Sequence, residues 1–228
     1  MKDVIIPVDF SENSLHAARF AADMLKNRND IRVILYHMYK HDNDAASTQQ
    51  YLSSLSVELE QKGVQNIELV NESGDDLIDS LGRLAYQKTA ELIIMGITER
   101  EDWKLLFRGN NSLKMAAKNV CPVMIVPAQA QYSGMRNIAL ASDFTAVKEN
   151  TPELAIKTVL NLFQAKLHII NVDSRHYVSL SPEFIEQRAE LNNITIPRNH
   201  SFLDNLFGGS HTQKLAQSTK VPLLAAHQ

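Results

Sequence analysis

The stretch MKDVIIPVDFS, residues 1–11, returns in altered form as MRNIALASDFT, residues 135–145. Asp9 aligns with Asp143, and the same offset aligns residues 31–38 with residues 165–172. Residues 109–126 and 209–226 also align, with Pro122 on Pro222, but at a smaller offset. An internal repeat therefore organises the chain, and its second copy is shorter than its first.

The repeat predicts two domains and a short linker. The complete copy spans residues 1–127, the linker residues 128–134, and the shortened copy residues 135–228. The deficit lies between Val172 and Gly209, which leaves room for one helix, residues 181–191. Either the second copy lacks one strand and one helix as a continuous chain, or residues near Asn192 and Thr195 are not neighbours in the intact protein. We favour the second explanation, because the first exposes an apolar edge strand.

Apolar runs alternate with helical patterns along the first copy. A continuous apolar run predicts a strand buried on both faces over residues 4–8, and further strands are predicted over residues 31–38, 67–70, 91–96 and 122–126. Helical spacing predicts a helix after an N-cap at Ser11 and further helices over residues 45–62, 75–88 and 110–118. Strands separated by helices of this length predict parallel β-α-β units. Pro7 conflicts with a central strand because it lacks an N–H group, although it lies near the strand end.

Composition excludes several classes of protein. The chain has 228 residues, 44% of them hydrophobic and 21% charged, which is typical of a globular fold and not of a disordered one. A net charge of −3 and scattered aromatic residues do not favour binding to nucleic acid or to anionic membranes. One cysteine, no signal peptide and no apolar run of ~20 residues predict a cytoplasmic protein without a membrane span. The eight histidines show no metal-ligand spacing.

The residues that follow the strands predict where a ligand would bind, because open parallel sheets bind ligands beyond the carboxyl ends of their strands. Asp9 follows the first strand and could accept hydrogen bonds from a sugar or cap the next helix. Gly96 ends the fourth strand, and Gly109-Asn-Asn-Ser112 opens the last helix. Backbone N–H groups there could approach an anion, but an ordinary loop and N-cap explain the same residues.

The strand ends resemble those of a universal stress protein domain. The resemblance is carried by PVDFS at residues 7–11, ELIIMG at residues 91–96, and Gly109 with CPVMIV at residues 121–126. It covers the first copy and both ends of the second, and it implies a tandem member. Its implied fold is α/β, with an open parallel sheet of five strands in the order 3-2-1-4-5, flanked by helices, in each copy. Family members pair through their last strands, so residues 122–126 and 222–226 are implied to join the copies as a pseudo-dimer, or to form a homodimer.

Many members of that family bind ATP or a related nucleotide through a Gly-x2-Gly-x9-Gly-Ser/Thr loop, and others bind none. The first copy keeps the first and third glycines, but Glu99 replaces the second. Two like unit charges ~4 Å apart repel by about 4 kcal/mol at an effective dielectric constant near 20, so Glu99 disfavours a triphosphate. Arg100 or Arg108 could offset that charge. The binding residues implied for the first copy are Asp9, Met38, Gly96, Thr98, Gly109, Asn110 and Asn111.

The second copy departs further from the nucleotide motif. Ile196 and Asn199 stand at the first two glycine positions, and Pro197 lacks an N–H group, so no glycine-type phosphate loop is predicted. Arg198 and His200 could hold a single anionic group, but solvent-facing turn residues are the favoured interpretation. The residues that still match the family or could contact an anion are Asp143, Val172, Arg198, Gly209 and Ser210.

Two functions from different classes follow from these matches and departures. The favoured one is a stress-response scaffold with weak or absent adenine-nucleotide binding, which implies no firm cofactor. The alternative is a signalling module that binds ATP or AMP in the first copy, with slow hydrolysis if Asp9 and Thr98 orient a water molecule. We predict no enzyme and no catalytic residue, and Cys121 beside Pro122 is interpreted as a structural thiol.

Overall fold

One mixed sheet runs through the computed structural model, which describes residues 1–97, 111–118, 120–142, 153–171, 195–196 and 222–225. The described strands follow the order β3-β2-β1-β4-β5-β9-β8-β6-β7. The first five strands come from residues 2–126 and the last four from residues 137–225. We call these parts the first half and the second half of the sheet.

The first half is a parallel sheet in the order 3-2-1-4-5, flanked by helices, which confirms the predicted fold class. Each pair of neighbouring strands within it is parallel, and most of its strand residues are buried, as the continuous apolar runs predicted. Its strands are β1 Lys2–Pro7, β2 Ile31–Tyr39, β3 Ile67–Ser73, β4 Leu92–Gly96 and β5 Val123–Val126.

The helices of the first half begin close to their predicted positions. Helix α1 starts after Ser11, whose hydroxyl accepts a hydrogen bond from the Ser14 N–H group as an N-cap. Helix α3 starts slightly later than predicted, because Asp76 acts as its N-cap and accepts from the Asp79 N–H group. The helices are α1 Glu12–Leu25, α2 Ala45–Gln61, α3 Leu77–Lys88 and α4 Asn111–Ala117, with a 3-10 turn at Asp42–Asp44 before α2.

Two strand boundaries have clear physical causes. Strand β3 runs past the predicted Val70 to Ser73, because its backbone stays paired with β2 as far as Tyr39. Pro7 is tolerated in the central strand β1 because the pairing of β1 with β4 extends from Val4 only to Ile5.

The second half contains four described strands and one described helix. Strands β9, β8, β6 and β7 are mutually parallel, whereas β5 and β9 pair antiparallel and join the two halves. Ile138 of β6 pairs with Leu167 of β7, and the residues aligned with them by the repeat, Val4 and Val33, pair in the same way in the first half. The elements are β6 Asn137–Ser142, α5 Glu153–Phe163, β7 Lys166–Asn171, β8 Thr195–Ile196 and β9 Leu223–Ala225.

The halves share part of one hydrophobic core. Side chains of α1 and α2 pack in the same buried cluster as Ile138, Val159 and Leu162 of the second half. The rings of Phe20 and Tyr132 meet edge to face with centroids 5.7 Å apart. The guanidinium of Arg28 donates to the carbonyl oxygen of Leu162 at 2.6 Å. A second cluster, built around α3 and α4, lies on the opposite face of the first-half sheet.

Three further observations concern the described residues alone. Among their helices, none is both long enough and apolar enough to cross a bilayer. No three of their histidine, cysteine, aspartate or glutamate side chains converge on a point that could hold a metal ion. The predicted helix at residues 181–191 and the question of the shortened second copy fall on residues outside the described ranges.

Candidate functional site

A cleft of about 670 Å³ opens at the carboxyl ends of β1, β2 and β4. This is the edge at which the strand order reverses, between β1 and β4, and open parallel sheets bind ligands there. The starts of α1, α3 and α4 form its other walls. The residues lining it are Pro7, Val8, Asp9, Ser11, Asn13, Ser14, His37, Met38, Lys40, Asp75, Asp76, Leu77, Ile78, Asp79, Met95, Gly96, Asn111, Ser112 and Lys114.

The carboxylate of Asp9 is engaged by the turn that leads into α1. Its Oδ1 accepts from the Ser11 N–H group at 3.0 Å and from the Ser11 hydroxyl at 2.6 Å. The backbone N–H group of Asp9 donates to Ser14 Oγ at 3.3 Å, so the turn is closed from both sides. The described contacts therefore support one of the two roles predicted for Asp9, that of organising the start of α1.

The same contacts lower the pKa of Asp9. Partial burial alone would raise its pKa, but hydrogen bonds from Ser11 and Ser14 outweigh burial and hold the pKa below its usual value of 3.8. Asp9 is therefore a charged carboxylate at neutral pH and a weak base.

Gly96 ends β4 at the point where α1 begins. A Cβ atom added to Gly96 would lie 2.3 Å from the backbone oxygen of Asn13, closer than any side chain permits. The Gly96 carbonyl also accepts a hydrogen bond from Ser112 Oγ at 2.5 Å. A glycine is thus required here by the close approach of α1, whether or not a ligand binds.

The end of β2 contributes Met38 and His37 to the cleft. Met38 is half-buried and packs with Sδ against Gly74, where an added Cβ would come within 2.8 Å of the sulfur. The neighbouring His37 is held by Nδ1, 2.8 Å from the carbonyl oxygen of Val8. Both side chains therefore have fixed protein neighbours at the floor of the cleft.

Phe10 turns the chain between Asp9 and α1 with its backbone in the left-handed region, at a φ of 62°. That conformation is unfavourable for a residue with a Cβ atom. Its ring packs on His37 and Tyr51, with centroids 4.7 Å and 5.4 Å away. The aromatic contacts offset the backbone strain and hold Asp9 at the cleft.

Three aspartates at the start of α3 form the side of the cleft that sequence reasoning missed. Asp75, Asp76 and Asp79 line it and are exposed. A hydrogen bond from the Asp79 N–H group is the main cause of a lowered pKa at Asp76, and Asp79 itself pairs with Lys118. The available signal was the turn Gly74-Asp75-Asp76 after β3, which the strand order brings to the same edge as Asp9.

The described lining is more acidic than basic. Four carboxylates, those of Asp9 and the three α3 aspartates, line the cleft with two lysine side chains, Lys40 and Lys114, while Lys118 pairs with Asp79 from outside the lining. All six groups are exposed, so solvent screens them, but their sum still opposes the entry of a polyanion. Sequence reasoning named neither lysine.

Four predicted binding residues meet in this cleft: Asp9, Met38, Gly96 and Asn111. Cys121 lies apart from it, and burial raises the pKa of its thiol to about 12, so the thiol is protonated at neutral pH. The remaining predicted residues, together with Glu99 at the departure from the motif, lie outside the described ranges: Thr98, Gly109, Asn110, Asp143, Val172, Arg198, Gly209 and Ser210.

Comparison with known proteins adds a family and a fold. A family model described as the universal stress protein family matches residues 1–127. A solved universal stress protein from Archaeoglobus fulgidus is 15% identical, covers 99% of this chain and 96% of its own, and superposes with a TM-score of 0.64. A functionally unknown protein from Pseudomonas aeruginosa is 14% identical over 99% of this chain and 92% of its own, with a TM-score of 0.61.

A third solved structure, a universal stress protein in complex with cAMP, is 20% identical. It covers 56% of this chain and 97% of its own, with a TM-score of 0.48. Among curated proteins, none matches this chain. At these identities the two full-length likenesses establish a shared fold and no more.

Proposed function

Because the chain belongs to the universal stress protein family, we propose that it is a stress-response scaffold that acts through its surfaces and binds adenine nucleotides weakly or not at all. The charge of the cleft carries this proposal. Lys118 offsets Asp79, and Asp9, Asp75 and Asp76 then exceed Lys40 and Lys114 by one charge, which disfavours a triphosphate modestly. Glu99, at the second glycine of the phosphate motif, adds a further carboxylate in the sequence, which Arg100 or Arg108 could offset.

The packing around Gly96 gives a second argument for the scaffold function. In a nucleotide site, a glycine at this position lets a phosphate approach the backbone. Here the carbonyl of Asn13 lies where a Cβ would stand, so the packing of α1 alone accounts for the glycine. Retention of Gly96 therefore counts little toward nucleotide binding.

A second candidate, an adenine-nucleotide-binding signalling module, is favoured by one specific observation. Asp9, Met38, Gly96 and Asn111 line a single cleft at the switch point of the sheet. A volume of about 670 Å³ lies within the usual range for small-molecule sites. If a nucleotide does bind, the surplus of carboxylates favours adenosine or AMP over ATP.

The proposal includes a tandem organisation with one domain at residues 1–127 and a shortened domain at residues 135–228. It is supported by the register of β6 with β7, which repeats that of β1 with β2 at the offset that separates Asp143 from Asp9. The antiparallel pairing of Val123–Val126 with Leu223–Ala225 supports a pseudo-dimer within one chain. A cytoplasmic location is part of the same proposal and rests on the single cysteine. We assign no catalytic residue.

Titration calorimetry with ATP and with AMP tests the scaffold against the nucleotide module. We expect the unmodified chain to give no ATP binding at a dissociation constant below about 1 mM, a limit that corresponds to about 4 kcal/mol. Glu99→Gly and Asp75→Asn each remove one carboxylate and serve as gain-of-binding variants. Micromolar ATP binding by the unmodified chain would overturn the scaffold and support the second candidate.

A phosphate-release assay completes the comparison. We expect no release of phosphate from ATP by the unmodified chain, because the described lining of the cleft disfavours the triphosphate. Glu99→Gly is assayed in parallel to separate loss of binding from loss of chemistry. Sustained turnover that Asp9→Asn abolishes would contradict the prediction of no enzyme.

A further inference from the structure

The segment that joins the two halves is packed into the protein core. The sequence predicts a linker at residues 128–134, yet Ala130 within it is 0% exposed and Met135 at its end is buried. We propose that residues 127–135 form a fixed strap, which locks the two halves in one orientation and makes them unfold as a single cooperative unit. The proposal goes beyond the function proposed above and holds whatever the cleft binds.

Both ends of the strap are anchored. At the first end, the Ala130 N–H group donates to the Pro127 carbonyl at 3.0 Å and closes a turn. At the far end, Met135 belongs to the same hydrophobic cluster as Ile138 of β6. Between them, Gly134 has a φ of 100°, a left-handed backbone conformation that glycine adopts without strain. A tether between independent domains is exposed and flexible, so the buried anchors indicate a structural element.

Tyr132 holds the middle of the strap against α1. Its ring meets that of Phe20 at 88°, with the centroids 5.7 Å apart, which is a favourable edge-to-face arrangement. Phe20 is buried and Tyr132 is half-buried, so each ring shields the other from solvent. Burial raises the pKa of the Tyr132 phenol, and the charge of Arg28, just beyond α1, opposes that rise. The strap therefore covers the carboxyl-terminal part of α1.

Helix α5 of the second half packs on the same region. The Arg28 guanidinium donates to the Leu162 carbonyl at 2.6 Å. Leu162 lies in the last turn of α5, where helix carbonyl groups lack partners within the helix, so the donor comes from the other half. Leu162 and Val159 are both 0% exposed and share one hydrophobic cluster with Phe20. Each half therefore depends on the other to keep this part of the core away from water.

A pair of strands connects the halves at a second place. Strands β5 and β9 pair antiparallel from Val123 to Ile125. Pairing along one edge alone would leave the halves free to rotate about that edge. The contacts of α1 with the strap and with α5 lie on one face of the sheet, away from this axis, and oppose such a rotation. Motion between domains is expected across small polar interfaces and not across a shared apolar core.

Hydrogen exchange, measured by mass spectrometry on the full chain, tests whether the strap stabilises both halves. Tyr132→Ala removes the ring that packs on Phe20 and leaves a space in the shared core, so amides of both α1 and α5 should exchange about tenfold faster. Tyr132→Phe keeps the ring and should retain the exchange rates of the unmodified chain. Tyr86→Ala is the matched control, because Tyr86 is 80% exposed on α3, and it should leave both helices unchanged. Faster exchange in one half alone, or equal effects of Tyr132→Ala and Tyr86→Ala, would overturn the proposal.

The unmodified chain tests cooperativity without any substitution, and it decides the question even if Tyr132→Ala does not fold. As the urea concentration is raised, the slowest amides of α1 and of α5 should come to exchange through one common opening, with the same dependence on urea. Separate openings with different urea dependences would mean that the halves unfold independently, which contradicts a single cooperative unit.

The distance between two spin labels tests the single orientation. Val57→Cys on α2 and Leu154→Cys on α5, in a Cys121→Ser background, place the labels at exposed positions on the two halves. We expect one narrow distance distribution, which Tyr132→Ala broadens and Tyr86→Ala leaves unchanged. A broad or two-peaked distribution in the otherwise unmodified chain would reveal a hinge at residues 127–135 and overturn the proposal.

Discussion

Strands β2 and β7 hold equivalent places in the two halves of the sheet, but among the described strands only β2 has a neighbour on both sides. Strand β3 pairs with β2 from Val33 to Tyr39, and α2 covers the face on which Leu35 lies. Its aligned counterpart Ile169 is 56% exposed on β7. The same strand sequence pattern is thus core in one half and surface in the other, because neighbouring elements and not the strand itself decide burial.

The strongest test of this contrast is the same truncation on both strands. Leu35→Ala should lower the free energy of unfolding by about 3 kcal/mol, since it leaves a cavity in a closely packed core. Ile169→Ala should lower it by only about 0.5 kcal/mol in dilute protein, because an exposed side chain leaves no cavity. Urea denaturation of both variants measures the difference. Similar losses at the two positions would mean that Ile169 is buried by other parts of the chain in solution.

The ends of β4 and β8 allow a second comparison between the halves. Strand β4 ends at Gly96, against which the carbonyl of Asn13 packs, whereas β8 ends at the branched Ile196. Gly96→Ala should therefore destabilise the first half by about 2 kcal/mol, because its Cβ meets backbone that cannot move aside. Thermal unfolding checks this value, with Gly134→Ala as a control for glycine loss in a place with open space around it.

Gly134 has a φ of 100°, so its control substitution carries a backbone cost without a steric one. A loss at Gly96→Ala no larger than that at Gly134→Ala would contradict the packing explanation of Gly96. Nucleotide binding, and not the approach of α1, would then be the better reason for a glycine at this position.

The fold of the first half could be predicted from sequence because its signals are local. Continuous apolar runs mark buried parallel strands, and Ser11 marks the start of α1 through a bond to the nearby Ser14. The position of Asp9 at a strand end was equally readable. Its partner Ser11 is close in sequence, so the helix-start role was already among the alternatives.

The rest of the cleft could not be predicted because it depends on contacts between distant residues. Asp75 reaches the cleft only because β3, β2 and β1 lie side by side and end at one edge. The packing of Asn13 on Gly96 requires α1 to cross β4, which no spacing in the sequence encodes. A motif comparison therefore assigned Gly96 to a phosphate, where the structure supplies a packing reason.

The hydrogen bonds of Arg28, which lies between the two halves of the sheet, give the prediction with the smallest expected effect. Arg28 donates to the Leu162 carbonyl of the second half and to Asp30 of the first. Hydrogen bonding from Arg28 is the main cause that lowers the pKa of Asp30 to about 2, against an ordinary value of 3.8. A carboxylate with a lowered pKa stabilises the fold above its unfolded-state pKa. Its contribution is lost as the pH falls from about 4 toward about 2.

Asp30→Asn should therefore flatten the fall in unfolding free energy between pH 5 and pH 2 by less than about 1 kcal/mol, since the pair is exposed to solvent. Asp42→Asn, which removes an exposed carboxylate from the 3-10 turn, is the matched control and should leave the fall unchanged. Chemical denaturation at each pH measures the slopes. Parallel slopes for Asp30→Asn and the unmodified chain would mean that the ion pair between Arg28 and Asp30 contributes nothing measurable to stability, so that Arg28 acts only through its bond to the Leu162 carbonyl.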